Sequence, residues 1–153
     1  IRRQVHTSYF LKGAVSLVKI IMGHKGSGKT KRLISMVAEA AESSSGNVVC
    51  IEKEDALRFD IPHSVRLVST TDYSFGSYTY LKGFICGLHA GNYDITHIFI
   101  DNLYKIVNST SLSELEGFVM WCDSFGRKEN IDITFTVSED PMYASETIET
   151  YLI

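Results

Sequence analysis

Apolar residues in this chain come in two kinds of stretch. Some are short continuous or near-continuous runs, at residues 17–22, 48–51, 65–68, 95–100 and 131–137. Runs of this length in a soluble protein predict strands, and the continuous ones predict strands buried on both faces. Between them, apolar residues recur at helical spacing. Leu33, Ile34, Val37, Ala38 and Ala41 predict a helix over about residues 28–42, closed by Ser43-Ser44-Ser45-Gly46. Residues 78–89 read as a second helix, closed by Ala90-Gly91-Asn92. Ser111-Leu112-Ser113-Glu114 has the form of a capping box and opens a third helix reaching about residue 124. Residues 145–152 predict a closing helix. Strands alternating with helices imply an α/β fold. The expectation is a three-layer α/β/α sandwich with a mainly parallel sheet of about five strands and right-handed crossovers.

The first strand runs directly into Gly23-His24-Lys25-Gly26-Ser27-Gly28-Lys29-Thr30. This is G-x-x-x-x-G-K-T, the spacing of a phosphate-binding P-loop, with the strand before and helix after that such a loop requires. At average residue frequencies it arises by chance in a chain of this length about once in several hundred. Gly23, Gly26 and Gly28 can take backbone angles other residues avoid, so successive N–H groups can converge on one anion. His24, Lys25 and Ser27 contribute through their backbone, with the His24 and Lys25 side chains expected in solvent. The helix that follows adds free N–H groups and its positive dipole end. Lys29 supplies charge to the β- and γ-phosphates, and the Thr30 hydroxyl can ligate Mg²⁺.

Composition narrows the partners. The 153 residues suit one domain, with 44% hydrophobic and 22% charged residues. Residues 1–16 carry Arg2, Arg3 and Lys12 and no acid, and they read as an extension outside the core. Residues 17–153, expected to form the nucleotide-binding domain, are therefore more acidic than the net −3 of the whole chain. An acidic body argues against duplex nucleic acid as main partner, though it leaves room for a small local basic site. No stretch approaches the ~18 consecutive apolar residues of a membrane span, and no signal peptide is evident. Cys50, Cys86 and Cys122 are too few and too scattered for a disulfide framework or a four-ligand zinc site. They read as buried, reduced thiols of a cytoplasmic protein.

A P-loop needs a carboxylate for its Mg²⁺ at the carboxyl end of an adjacent buried strand. Ile98-Phe99-Ile100-Asp101 supplies one. With Asp101-Asn102 after that strand, the chain resembles the RecA-like P-loop ATPases. The tract 98–106 is similar to the matching strand of the rotary ATPase catalytic subunit. That resemblance implies a catalytic glutamate just past the strand that follows the P-loop helix, here within Glu52-Lys53-Glu54-Asp55. The best register gives Glu54 the role of aligning water, with Glu52 as the alternative and a merely solvated acid as the plain reading. It also implies a polar γ-phosphate sensor at the end of the fifth strand, for which Ser138 is the candidate. Many such ATPases carry Glu after the metal-binding Asp, where this chain has Asn102. Arg58, Arg66 and Arg127 are the candidate arginine fingers. A protein partner or a second copy of the chain could supply one instead.

The whole pattern also resembles small, poorly characterised bacterial ATP-binding proteins, some labelled twitching-motility PilT. The histidine-bearing motifs of PilT-type motors are not found in these 153 residues. The resemblance implies Mg²⁺-dependent ATP binding with slow hydrolysis: P-loop enzymes without an arginine finger turn over at about 10⁻⁴–10⁻² per second. Two alternatives stand beside it. One is a nucleotide-gated interaction protein without useful turnover. The other is a small-molecule kinase like the type II thymidine kinases, which usually carry a cysteine-rich zinc segment that this chain lacks. No guanine-reading N-K-x-D element is visible, which favours ATP. Tyr73, Phe75, Tyr78, Tyr80 and Phe84 are expected to pack rather than stack on bases, and His97 to be a satisfied core histidine.

Overall fold

The computed structural model describes residues 17–153. The expected extension over residues 1–16 lies outside the described residues. Five strands form one all-parallel sheet: β1 (Val18–Gly23), β2 (Asn47–Glu52), β3 (Arg66–Ser69), β4 (Ile95–Ile100) and β5 (Asp132–Ser138). Their spatial order is β1-β5-β4-β2-β3. The helices are α1 (Lys29–Ser43), α2 (Tyr78–Gly91), α3 (Leu103–Val107), α4 (Leu112–Glu129) and α5 (Glu146–Glu149).

Side-chain alternation along the strands divides the interior into two layers. On one side, Ile21, Val48, Cys50 and Phe99 meet Leu33, Val37 and Ala40 of α1, together with Leu57, Ile61 and Val65 from the β2–β3 connection. On the other, Val49, Ile51, Ile98, Ile100, Ile133 and Phe135 meet Leu81 and Ile85 of α2 and Leu115, Phe118 and Cys122 of α4. The α/β three-layer architecture is thus the one expected. It also has a consequence for function. The chain leaves β1 toward one face and β4 toward the other, and β5 enters last between them. Connections that diverge this way open a crevice at the carboxyl ends of the strands, where ligands of parallel sheets bind.

The element ends depart from expectation where packing outweighs local preference. α4 runs on to Glu129 past Ser124 and Gly126, because Cys122 and Gly126 continue its buried stripe. Gly126 lies so close to the following turn that an added Cβ would stand 2.7 Å from the Ile131 carbonyl oxygen. The closing helix is only Glu146–Glu149; after it the chain extends, and Leu152 bridges to Ile20. Ile20 donates to Tyr151 (2.9 Å) and accepts from Ile153 (3.1 Å), so this segment covers the free edge of β1. Helix α3 was not anticipated. It starts at Asn102, whose φ of 59° is a left-handed conformation that asparagine tolerates better than most residues.

The capping box at α4 forms by half. The Ser111 hydroxyl accepts from the Glu114 N–H at 3.2 Å, but the Glu114 carboxylate accepts from the Ser109 hydroxyl at 2.6 Å instead of the Ser111 N–H. The aromatic group does pack on itself: Phe75 lies 4.8 Å from Tyr80 and 4.7 Å from Phe84, centroid to centroid, and Tyr73 lies 5.6 Å from Phe84. His97 is half-buried and bonded, to the Thr96 hydroxyl at 2.9 Å and to Asp132 at 3.5 Å. Cys50 and Cys122 are buried, whereas Cys86 is exposed, because it falls on the outward side of α2. No helix among the described residues is long and apolar enough to cross a membrane.

Candidate functional site

β1 ends at Gly23, where its register partner is Ser138 at the end of β5. The chain then turns through Gly26 (φ 83°) and Gly28 (φ 86°), angles that side chains with a Cβ rarely adopt, before α1 begins at Lys29. The loop closes with the Ser27 N–H donating to the His24 carbonyl at 3.1 Å. α1 has neither a side-chain cap nor an acidic residue in its first turn. Its leading N–H groups and positive dipole end are therefore left for another acceptor.

The remaining elements bring chemistry to that loop. The Lys29 ammonium folds back and donates to the His24 carbonyl at 2.7 Å. Desolvation pulls its pKa below the ordinary lysine value, while the negative charge of Asp101 acts in the opposite direction. The Thr30 hydroxyl lies 3.1 Å from each oxygen of Asp101, a contact between residues 71 positions apart. Asp101 is anchored twice. Its own N–H donates to the Ile51 carbonyl at 2.8 Å, and the Thr136 hydroxyl donates to its Oδ1 at 2.8 Å. Thr136 in turn accepts from the Asn102 N–H at 2.7 Å. A hydroxyl and a carboxylate held in this way form a hard-oxygen pair of the kind that serves Mg²⁺.

A cavity of about 420 Å³ lies over this arrangement and is lined by residues including Lys25, Gly28, Lys29, Thr30, Asn102 and Ser138. Ser138, at the end of β5, is among its lining residues. The His24 side chain is largely exposed, as expected, and its Nε2 comes within 3.5 Å of Asp140 on the loop after β5.

The two candidate glutamates have different surroundings. Glu52, the last residue of β2, is 4% exposed. Its carboxylate accepts from the Ala56 N–H at 2.6 Å and from the Leu57 N–H at 3.0 and 3.3 Å. Burial raises its pKa, and those N–H groups pull the other way. This carboxylate is spent on shaping the loop after β2. Glu52→Ala should accordingly lower stability by about 1–2 kcal/mol, because the buried Leu57 N–H loses its acceptor. Urea titration beside a Glu54→Ala control, expected to be neutral, measures this. Glu54 is exposed on the same carboxyl rim, and among the described residues it makes no hydrogen bond or ion pair. It does not line the 420 Å³ cavity. Of the arginines, Arg58 pairs with Asp55 and Arg127 with Asp123, while Arg66 is exposed on β3.

Thr136 is the residue that sequence reasoning missed. Its signal was present: β5 reads Asp132-Ile-Thr-Phe-Thr-Val-Ser138, so two threonines share the face opposite Ile133, Phe135 and Val137. Thr136 is 1% exposed, and a buried hydroxyl needs a partner. No family model matches this sequence, and no curated protein matches it.

Proposed function

We propose that this chain is a RecA-like P-loop protein that binds ATP with Mg²⁺ and hydrolyses it slowly. The observation that carries the reading is the meeting of the Thr30 hydroxyl and the Asp101 carboxylate at the mouth of a glycine loop with two left-handed glycines. In this reading, the backbone of residues 23–30 and the start of α1 hold the phosphates. Lys29 swings from the His24 carbonyl to the β- and γ-phosphates, and Thr30 and Asp101 hold the metal, which neutralises charge on the phosphate oxygens. Ser138 contacts the γ-phosphate from the next strand, and Glu54 swings in to orient water. The arginine finger comes from a partner or a second copy, since Arg58 and Arg127 already have carboxylate partners and Arg66 lies on β3, at the sheet edge opposite β1 and its glycine loop.

Calorimetry with MgATP tests this. Lys29→Ala removes a charge-assisted contact and should weaken binding by about 1.5–3 kcal/mol, roughly 10- to 150-fold. Equal affinity in wild type and variant would mean that the glycine loop is not the site.

One observation favours the alternative, a nucleotide-gated interaction protein without useful turnover. Asn102, next to the metal-holding Asp101, has no carboxylate to offer. Its backbone is committed to capping α3 and bonding Thr136. Binding of MgATP without phosphate release, even over long incubation, would select that reading.

A further inference from the structure

The 420 Å³ cavity is one of two that share Lys25, Asn102 and Ser138. The second, of about 470 Å³, extends from those residues across the carboxyl rim to α3, where Lys53, Tyr104 and Lys105 line it. Two features bear on what it could hold. None of its lining residues is Asp or Glu, although the chain is acidic overall. Lys25, Lys53 and Lys105 all line it, and among the described residues none of the three makes an ion pair; Lys53 only donates to the Lys105 carbonyl at 3.3 Å. Three ammonium groups lining one cavity repel each other until an anion joins them.

We propose that this second cavity is a subsite for a compact polyanion, a phosphate monoester or polycarboxylate, held beside the nucleotide by Lys25, Lys53 and Lys105. Lys25 and Ser138 face both cavities, so the two ligands are thermodynamically coupled, and each alters the affinity of the other by the same factor.

The proposal rests on the P-loop reading for the neighbouring nucleotide, and the test separates the two. Protein saturated with Mg²⁺ and a non-hydrolysable ATP analogue is titrated by calorimetry with glucose 6-phosphate in one arm and tricarballylate in the other. Saturable binding in at least one arm is expected, with the arm that binds identifying the anion class. Lys105→Ala should weaken it about tenfold with nucleotide affinity unchanged. No saturable binding of either probe at low-millimolar concentration, or binding insensitive to Lys105→Ala, overturns the subsite. Failure of the analogue itself to bind overturns the P-loop reading instead, and the same titration of nucleotide-free protein then decides the subsite.

Discussion

Phe118→Ala is expected to destabilise the protein by about 3–5 kcal/mol, the range for deleting a fully enclosed aromatic ring. Phe118 is 0% exposed, and its ring lies 5.2 Å from that of Tyr78, 5.6 Å from Phe135 and 6.1 Å from Trp121, centroid to centroid. It therefore joins α2, α4 and β5 at one point, and its removal leaves a cavity that three separate elements would have to move to fill. Urea unfolding should show a lowered midpoint with the denaturant slope unchanged. A loss under about 1 kcal/mol would mean that this face of the sheet collapses around the gap rather than holding its shape. Phe118 belongs to the layer opposite α1. The folded fraction of the variant should consequently keep its MgATP affinity, which separates a packing defect from a site defect.

Positions such as Phe118 are legible in sequence as a class. The periodicity of apolar residues is imposed by the sheet and its two covering layers, so strands β1 to β5 and helices α1, α2 and α4 could be read within a few residues of their ends. What could not be read were features set by tertiary contact. α4 continues through Gly126 because that glycine fits against the Ile131 carbonyl, which no local preference reveals. α3 depends on the left-handed turn at Asn102, and the last residues turn from helix to extended chain because the β1 edge offers backbone partners.

The site divides along the same line. The glycine loop, Lys29 and Thr30 are contiguous, and their spacing carries the geometry. Asp101 needed only the parallel order of strands to be placed near them. The contact between Asp101 and Thr136 depends on β5 lying beside β4, with Ile100 opposite Phe135, and that neighbour relation is set by topology rather than by any motif. The lysine-lined cavity was invisible for the same reason: its residues come from the glycine loop, the end of β2, α3 and the end of β5, four places that only the fold brings together.

Glu54→Gln is expected to lower phosphate release from MgATP by about 10²- to 10⁴-fold, the usual contribution of a positioned carboxylate to proton transfer. The expectation comes from the difference between two neighbours. Both glutamates lie at the rim where β2 emerges beside Asp101, but the Glu52 carboxylate accepts two backbone N–H groups and is buried with them. Turning it toward a water molecule would break those bonds and strand the buried Leu57 N–H. Glu54 carries no such commitment. It does not line the 420 Å³ cavity in this conformation, so under the proposed reading its engagement requires the loop after β2 to close over bound nucleotide, and exposed loop residues of this kind are the ones that move. Because release without an arginine finger is already slow, at about 10⁻⁴–10⁻² per second, single-turnover measurements with protein in excess are the right readout. The glutamine keeps the size of the side chain but cannot accept the proton of water as readily, so MgATP affinity should stay within about twofold of wild type. Loss of release with affinity intact would assign Glu54 to the chemical step. Unchanged release in Glu54→Gln with a loss in Glu52→Gln would transfer the role to the buried glutamate, with a drop in stability alongside. If neither variant alters a measurable rate, no glutamate after β2 takes part, and water is activated from elsewhere on the rim.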